Sequence, residues 1–210
     1  MSRRIVVPGE LVSADRKRIG KHVFLKDGKI FADSVGLVSE SDVSVSVIPL
    51  EGKYEPELND VVVGMVVDEK ISGYTVTLNS FYQSYVSKKT LRDPLRPNSV
   101  VSAKVMRVNE MKEIEIGMVR VLFGGELLEV SPVKVPRIIG KDGSMLEVLK
   151  QGTKCNLVVG RNGLVWVKGG DVKLLVQALD LIQSQAHTEN LTNKVSAFLN
   201  VSVSDEKVVQ

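Results

Sequence analysis

Hydrophobic residues follow a two-residue period in short runs through most of the first 120 positions, then switch to helical spacing beyond Pro132. That switch calls for short antiparallel strands first and a mixed helix–strand domain afterwards. In the later part, "GGELLEVSP" reads as a strand ended by Pro132. "MLEVLKQ" reads as a short helix that Ser144 caps and Gly152 closes. "KCNLVVGRNGLVWVKGG" gives two valine-rich strands around Asn162-Gly163, a hairpin signal in which Trp166 alternates as a packing residue. Asp171 opens the clearest helix, with Val172, Leu175, Val176, Leu179 and Ile182 on one stripe. The predicted order is strand, short helix, loop, helix, strand, strand, helix.

Two Gly-x-x-Gly matches fall in this part. With 17 glycines in 210 residues, chance supplies about 1.4 such matches, so context must separate them. Gly160-Arg161-Asn162-Gly163 sits inside the hairpin and reads as a turn. Gly140-Lys141-Asp142-Gly143 follows the apolar pair Ile138-Ile139 and precedes an amphipathic helix. Two glycines let the backbone approach a partner closely, the helix N-terminus favours an anion, and Lys141 adds a cation. Those are the elements that grip a sugar-phosphate backbone. Asp142 places an anion beside that path, so a loop with a weakened grip is the alternative.

Upstream, "SDVSVSVIPL" puts Val43, Val45 and Val47 on one face of a strand, and Asp27-Gly28 signals a hairpin turn. "NDVVVGMVVDEKISGYTVTLN" predicts two strands, the second with Tyr74, Val76 and Leu78 on one face. "NSVVSAKVMRVNEMKEIEIGM" adds two more, joined near Asn109-Glu110. Gly64, inside a strand, marks a bend where a sheet curls. Such a run suits a small closed barrel of the OB type, whose face commonly binds single-stranded nucleic acid.

The net charge of +3 hides two concentrations of base. Residues 1–26 carry net +5 and residues 81–107 another +5, which leaves −7 for the remainder. Concentrated bases suit a polyanion partner; solvated surface faces are the alternative. Lys88, Lys89, Arg92 and Arg96 lie between strands, with Arg107 further on, as candidate phosphate contacts. Phe81, Tyr82 and Tyr85 precede them as candidate stacking residues, although at least one belongs to a core. Enzyme signals are missing: the two histidines, His22 and His187, lie far apart, and no metal-type or phosphate-loop spacing occurs. We therefore expect no catalytic residues, no cofactor and no metal. The single Cys155 excludes an intrachain disulfide and reads as buried. No apolar run reaches the ~18–20 residues of a membrane span.

Residues 56–118 resemble the ribosomal S-one type of OB-fold RNA-binding domain, through "NDVVVGMVV", "SGYTVTL" and "SVVSAKVMRV" leading to "EIEIG". "Ile-Ile-Gly-Lys-x-Gly" followed by a hairpin and a long helix resembles a KH domain. With "VVPGELV", "DGKIFADSVGLV" and "VIPLEGKYEPELNDVVVGMVV", nearly all of residues 1–187 resembles the RNA-binding cap subunits of the archaeal RNA exosome. Asn59 departs from that pattern, which usually has Gly there; Asn also tolerates a left-handed turn.

The resemblance implies a multidomain, mainly β chain with a C-terminal α+β domain. Its parts would be a small β domain at 1–55, an OB barrel at 56–118, a KH domain at 119–187 and a partly ordered extension at 188–210. It implies a non-catalytic cytoplasmic subunit that brings single-stranded RNA to a hexameric ring of RNase-like subunits, in three copies per complex and without a membrane. Arg16, Lys17 and Arg18 become candidates for docking on the ring. A free-standing RNA-binding factor of translation or ribosome assembly is the alternative.

Overall fold

A computed structural model describes residues 4–15, 17–110, 113–186, 188 and 190–201. It divides into two compact units, residues 1–52 and 53–210.

The first unit is all β. Its strands are β1 (Ile5–Val6), β2 (Leu11–Ser13), β3 (Arg18–Ile19), β4 (Val23–Lys26), β5 (Lys29–Ala32), β6 (Gly36–Glu40) and β7 (Ser44–Pro49). They form two sheets, in the orders β1-β6-β7-β3 and β2-β5-β4. Val6, Val12, Val23, Ile30, Ala32, Val45 and Val47 make the core. Asp27 and Gly28 both take positive φ, 50° and 75°, as the tight turn between β4 and β5 requires. Val43 departs from the predicted alternation and is 73% exposed. The Ser41 hydroxyl accepts from the Ser44 amide and donates to the Ser44 carbonyl, so a serine turn captures this backbone and the strand starts only at Ser44.

The second unit begins with β8 (Val61–Glu69), β9 (Gly73–Thr77), β10 (Ser84–Ser87), β11 (Val100–Val108) and β12 (Ile114–Leu122). They close into a barrel in the order β10-β12-β11-β8-β9, with β10 and β12 parallel, which is the OB arrangement. Tyr74, Val76 and Leu78 point into the core as their alternation requires. Gly64 is needed because a Cβ there would lie 2.7 Å from the Thr77 carbonyl oxygen. Asn59 holds φ 70°, the left-handed turn that excuses it from being glycine.

The α+β part follows: β13 (Glu126–Glu129), α1 (Val135–Ile139), α2 (Ser144–Thr153), β14 (Asn156–Val159), β15 (Leu164–Lys168), α3 (Val172–Ser184) and α4 (Leu191–Phe198). The sheet order β13-β15-β14, with the helices packed on one face, is that of a KH domain. Asp171 caps α3, its carboxylate accepting from the Leu174 amide at 3.0 Å. The buried stripe of α3 is Leu175, Ala178, Leu179 and Ile182; Val176 lies off it, 38% exposed. Ser144 is not the cap of α2. Gly143, at φ 82°, occupies that position, and α2 runs through Gly152 to Thr153.

Two boundaries differ from expectation. β12 continues past 118 to Leu122, because Leu122 packs with Val63, Leu164 and Trp166 between barrel and KH sheet. The tail beyond 187 is not a separate extension as far as it is described. Leu191, Val195 and Leu199 belong to the KH core, and a Cβ on Gly152 of α2 would lie 2.7 Å from that of Leu199. Residues 202–210 lie outside the described residues.

Candidate nucleic-acid interface

The basic segment leaves the barrel after β10. Ser87 accepts from the Lys89 amide at 3.3 Å and starts a 3₁₀ turn, Lys88–Thr90; buried Leu95 anchors the far end. Lys89, Arg92 and Arg96 are exposed, and none is held in an ion pair among the described residues. Lys88 differs. Its ammonium donates to Glu69 Oε1 at 2.7 Å and lies 5.2 Å from the Tyr74 ring centre, and the Glu69 bond raises its pKa. A shallow depression of about 340 Å³ lies here, lined by Glu69, Tyr74, Lys88, Leu91 and Arg92 among others. Arg107 is elsewhere on the barrel, in the cross-strand row Tyr85–Glu115–Arg107. Glu115 stands in register between the two candidates.

The three aromatic candidates separate. Phe81 is 73% exposed, with the Lys53 ammonium 4.2 Å from its ring centre. Tyr82 is half-buried against the barrel core. Tyr85 is half-buried and lies so close over Gly73 that a Cβ there would meet its ring at 2.4 Å. Lys53 carried no sequence signal, since it stands far from the aromatic run in the chain.

At the Gly140–Gly143 loop, Gly140 takes φ 76° and a Cβ would lie 2.7 Å from the Met145 amide nitrogen. Asp142 adopts φ 52° without being glycine, and Lys141 and Asp142 both face solvent. The loop borders a groove of about 430 Å³ whose walls include Arg137, Lys141, Ser144, Asn190 and Thr192, so the start of α4 forms its far side.

The other Gly-x-x-Gly is a turn, and it is also a joint. β9 pairs with β8 only as far as Met65–Thr77, which leaves Val63 without its next rung on that side. The Asn162 carboxamide supplies that rung. It accepts from the Val63 amide at 3.1 Å and donates to the carbonyls of Val63 (2.6 Å) and Leu78 (2.8 Å), while Asn162 itself is fully buried. The Arg161 amide donates to the Val61 carbonyl at 2.8 Å, and its guanidinium lies 3.5 Å from Asp60. Asp60 also accepts from the Tyr54 hydroxyl at 2.7 Å; burial and that bond push the Tyr54 pKa up. A hairpin tip that reads in the sequence only as a turn is thus inserted into the barrel wall.

In the first unit, Arg16 lies outside the described residues. Lys17 pairs with Glu40 at 2.7 Å, and Arg18 sits exposed on β3. Sequence reasoning missed two apolar rows on the outward sheet faces. Ile5–Leu37–Ile48 crosses one sheet and Leu11–Phe31–Phe24 the other, with the Phe24 and Phe31 rings stacked at 5.8 Å. Ile5, Ile48, Leu11 and Phe24 are 40–58% exposed. Among the described residues, no cluster of His, Cys, Asp and Glu could hold a metal ion, and no helix is long and apolar enough to cross a membrane.

Two family profiles match: "Exosome RNA binding protein RRP4 N-terminal domain" over residues 3–51 and "KH domain" over 125–173. The chain is 36% identical to exosome complex component Rrp4 of Methanobrevibacter smithii, over 98% of this chain and 74% of that one. It is 37% identical to the Methanothermus fervidus protein of the same name, over 96% and 97%. The chain belongs to the Rrp4 family. Among solved structures, a protein assigned to RNA binding in the exosome complex superposes with a TM-score of 0.62 at 26% identity, over 71% of this chain and 96% of that one. The Rrp4 N-terminal match coincides with the first compact unit, and the KH match lies within β13 to the start of α3.

Proposed function

We propose that this chain is a non-catalytic RNA-binding cap subunit of an exosome. It recruits single-stranded RNA and guides its 3′ end into a phosphorolytic ring of six RNase-like subunits, in three copies per complex, in the cytoplasm. The observation that carries this reading is the exposed basic segment Lys89–Arg96 beside the aromatic loop of an OB barrel, in a chain of the Rrp4 family. The barrel is the main grip. Lys89, Arg92 and Arg96 meet phosphates; Lys88 and Arg107 contribute less, because Glu69 and Glu115 stand beside them. The Gly140–Gly143 loop is a secondary contact, in which Lys141 attracts the backbone and Asp142 opposes it.

Ring docking falls to the first unit, through its outward apolar rows together with Arg16, Lys17 and Arg18. Exposed apolar rows on both sheets of so small a unit are what a protein partner covers. Mixing the purified chain with the ring subunits tests the whole reading. A complex of increased native mass that degrades tailed RNA faster than the ring alone is expected. A ring whose mass and activity the chain leaves unchanged overturns it.

A further inference from the structure

The loop that carries Phe81 is held more firmly than an exposed loop needs to be. Leu78, where it starts, accepts from Asn162 at 2.8 Å. Asn79 then turns at φ 53° and donates to Glu129 of β13 at 2.5 Å. The Ser80 hydroxyl donates to the Tyr54 carbonyl at 3.3 Å and accepts from the Tyr82 amide at 3.3 Å. Asn162 and Glu129 both belong to the KH domain, so that domain sets the geometry of a barrel loop.

What this scaffold displays is one phenyl ring, 73% exposed, with the Lys53 ammonium over it. An apolar protein contact would need a contiguous patch, whereas Phe81 stands between Ser80 and Tyr82 with Asn79 and Gln83 beyond. A ring with an adjacent cation matches a nucleotide instead: the ring offers a stacking surface to a planar base, and the cation meets the neighbouring phosphate. Fixing the ring in advance lowers the ordering cost of binding.

We propose that Phe81 and Lys53 form a stacking site for one unpaired base of single-stranded RNA and its adjacent phosphate. Asn162 and Glu129 of the KH domain are the positioning residues of that site. The proposal rests on the RNA-binding reading above and adds to it a defined nucleotide subsite shared between two domains.

The test is fluorescence anisotropy of the full chain with labelled oligoadenylate, and with a series in which each position in turn is abasic. Phe81→Ala weakens binding about ten-fold, the scale of one base–aromatic stack, and leaves the salt slope unchanged. Phe81→Tyr retains binding and Phe81→Leu does not. The abasic position that costs the unaltered chain most costs Phe81→Ala nothing further. Lys53→Ala lowers the salt slope by about 0.7, one phosphate's share. Glu129→Ala weakens binding with no change in salt slope, and Glu129→Gln, which keeps the acceptor for Asn79, restores it. Salt-dependent binding that Phe81→Ala or Phe81→Leu leaves intact overturns the stacking site while RNA binding stands. No binding by the unaltered chain overturns both.

Discussion

Asn162 gives Val63 both halves of a strand rung, accepting from its amide at 3.1 Å and donating to its carbonyl at 2.6 Å. One side chain of the KH hairpin thereby stands in for a missing residue of the barrel ladder. Buried as it is, it has no water to fall back on. Asn162→Ala leaves the Val63 amide and two carbonyls without this partner, at about 1–3 kcal/mol for a buried unsatisfied group. We expect a loss of about 2–4 kcal/mol in urea unfolding, and a larger one for Asn162→Asp, which turns an oxygen toward two carbonyl oxygens.

Gly152 lies in the last turn of α2, where its helical backbone would ordinarily let alanine replace glycine at no cost or at a small gain. Here the sign reverses. An added methyl would meet Leu199 Cβ at 2.7 Å, and Leu199 cannot retreat without moving α4. Gly152→Ala should destabilise by about 1–3 kcal/mol and speed hydrogen exchange of the α4 amides. Gly152→Ala combined with Leu199→Ala should cost less than the two separate losses added together.

Salt titration of RNA binding ranks the basic residues. Replacing Lys89 or Arg92 by alanine should reduce the slope by about 0.7 each. Lys88→Ala should reduce it by less, because Glu69 already holds that ammonium at 2.7 Å. Glu69→Gln, which frees it, should tighten binding at low salt.

Hydrogen bonding from Lys17 holds the Glu40 carboxyl below its ordinary pKa of 4.5. A carboxylate with a depressed folded-state pKa contributes stability that is present above the ordinary value and lost as pH falls through the depressed one. A carbon-detected NMR titration should therefore place the Glu40 midpoint below that of exposed glutamates. Lys17→Met should return its midpoint toward the ordinary value.

Much of the architecture could be read from residue patterns, because it rests on local periodicity. The alternation in Tyr74–Leu78, the Asp27-Gly28 turn, the Asp171 cap and the left-handed Asn59 each express a preference of the residue itself. The misses came where distant chain overrode such a preference. Asn162-Gly163 obeys hairpin chemistry, and nothing nearby reveals that its carboxamide is buried 99 residues away in sequence against Val63. Val43 continues an alternation that a serine turn interrupts. The tail gave a mixed signal because α4 takes its stability from the faces of α2 and α3 rather than from its own residues. At the candidate interface the charges Lys89, Arg92 and Arg96 were legible. Glu69, which holds Lys88, Glu115 opposite Arg107, and the cation Lys53 beside Phe81 come from other strands and segments and were not.

Trp166 is the chain's single tryptophan, 5% exposed at the seam where KH sheet meets barrel, its indole N–H bonded to the Gly124 carbonyl at 2.7 Å. The molecule thus carries its own optical probe at the place where its barrel and its KH domain are joined. Any loosening of that seam wets the indole and shifts its emission to the red.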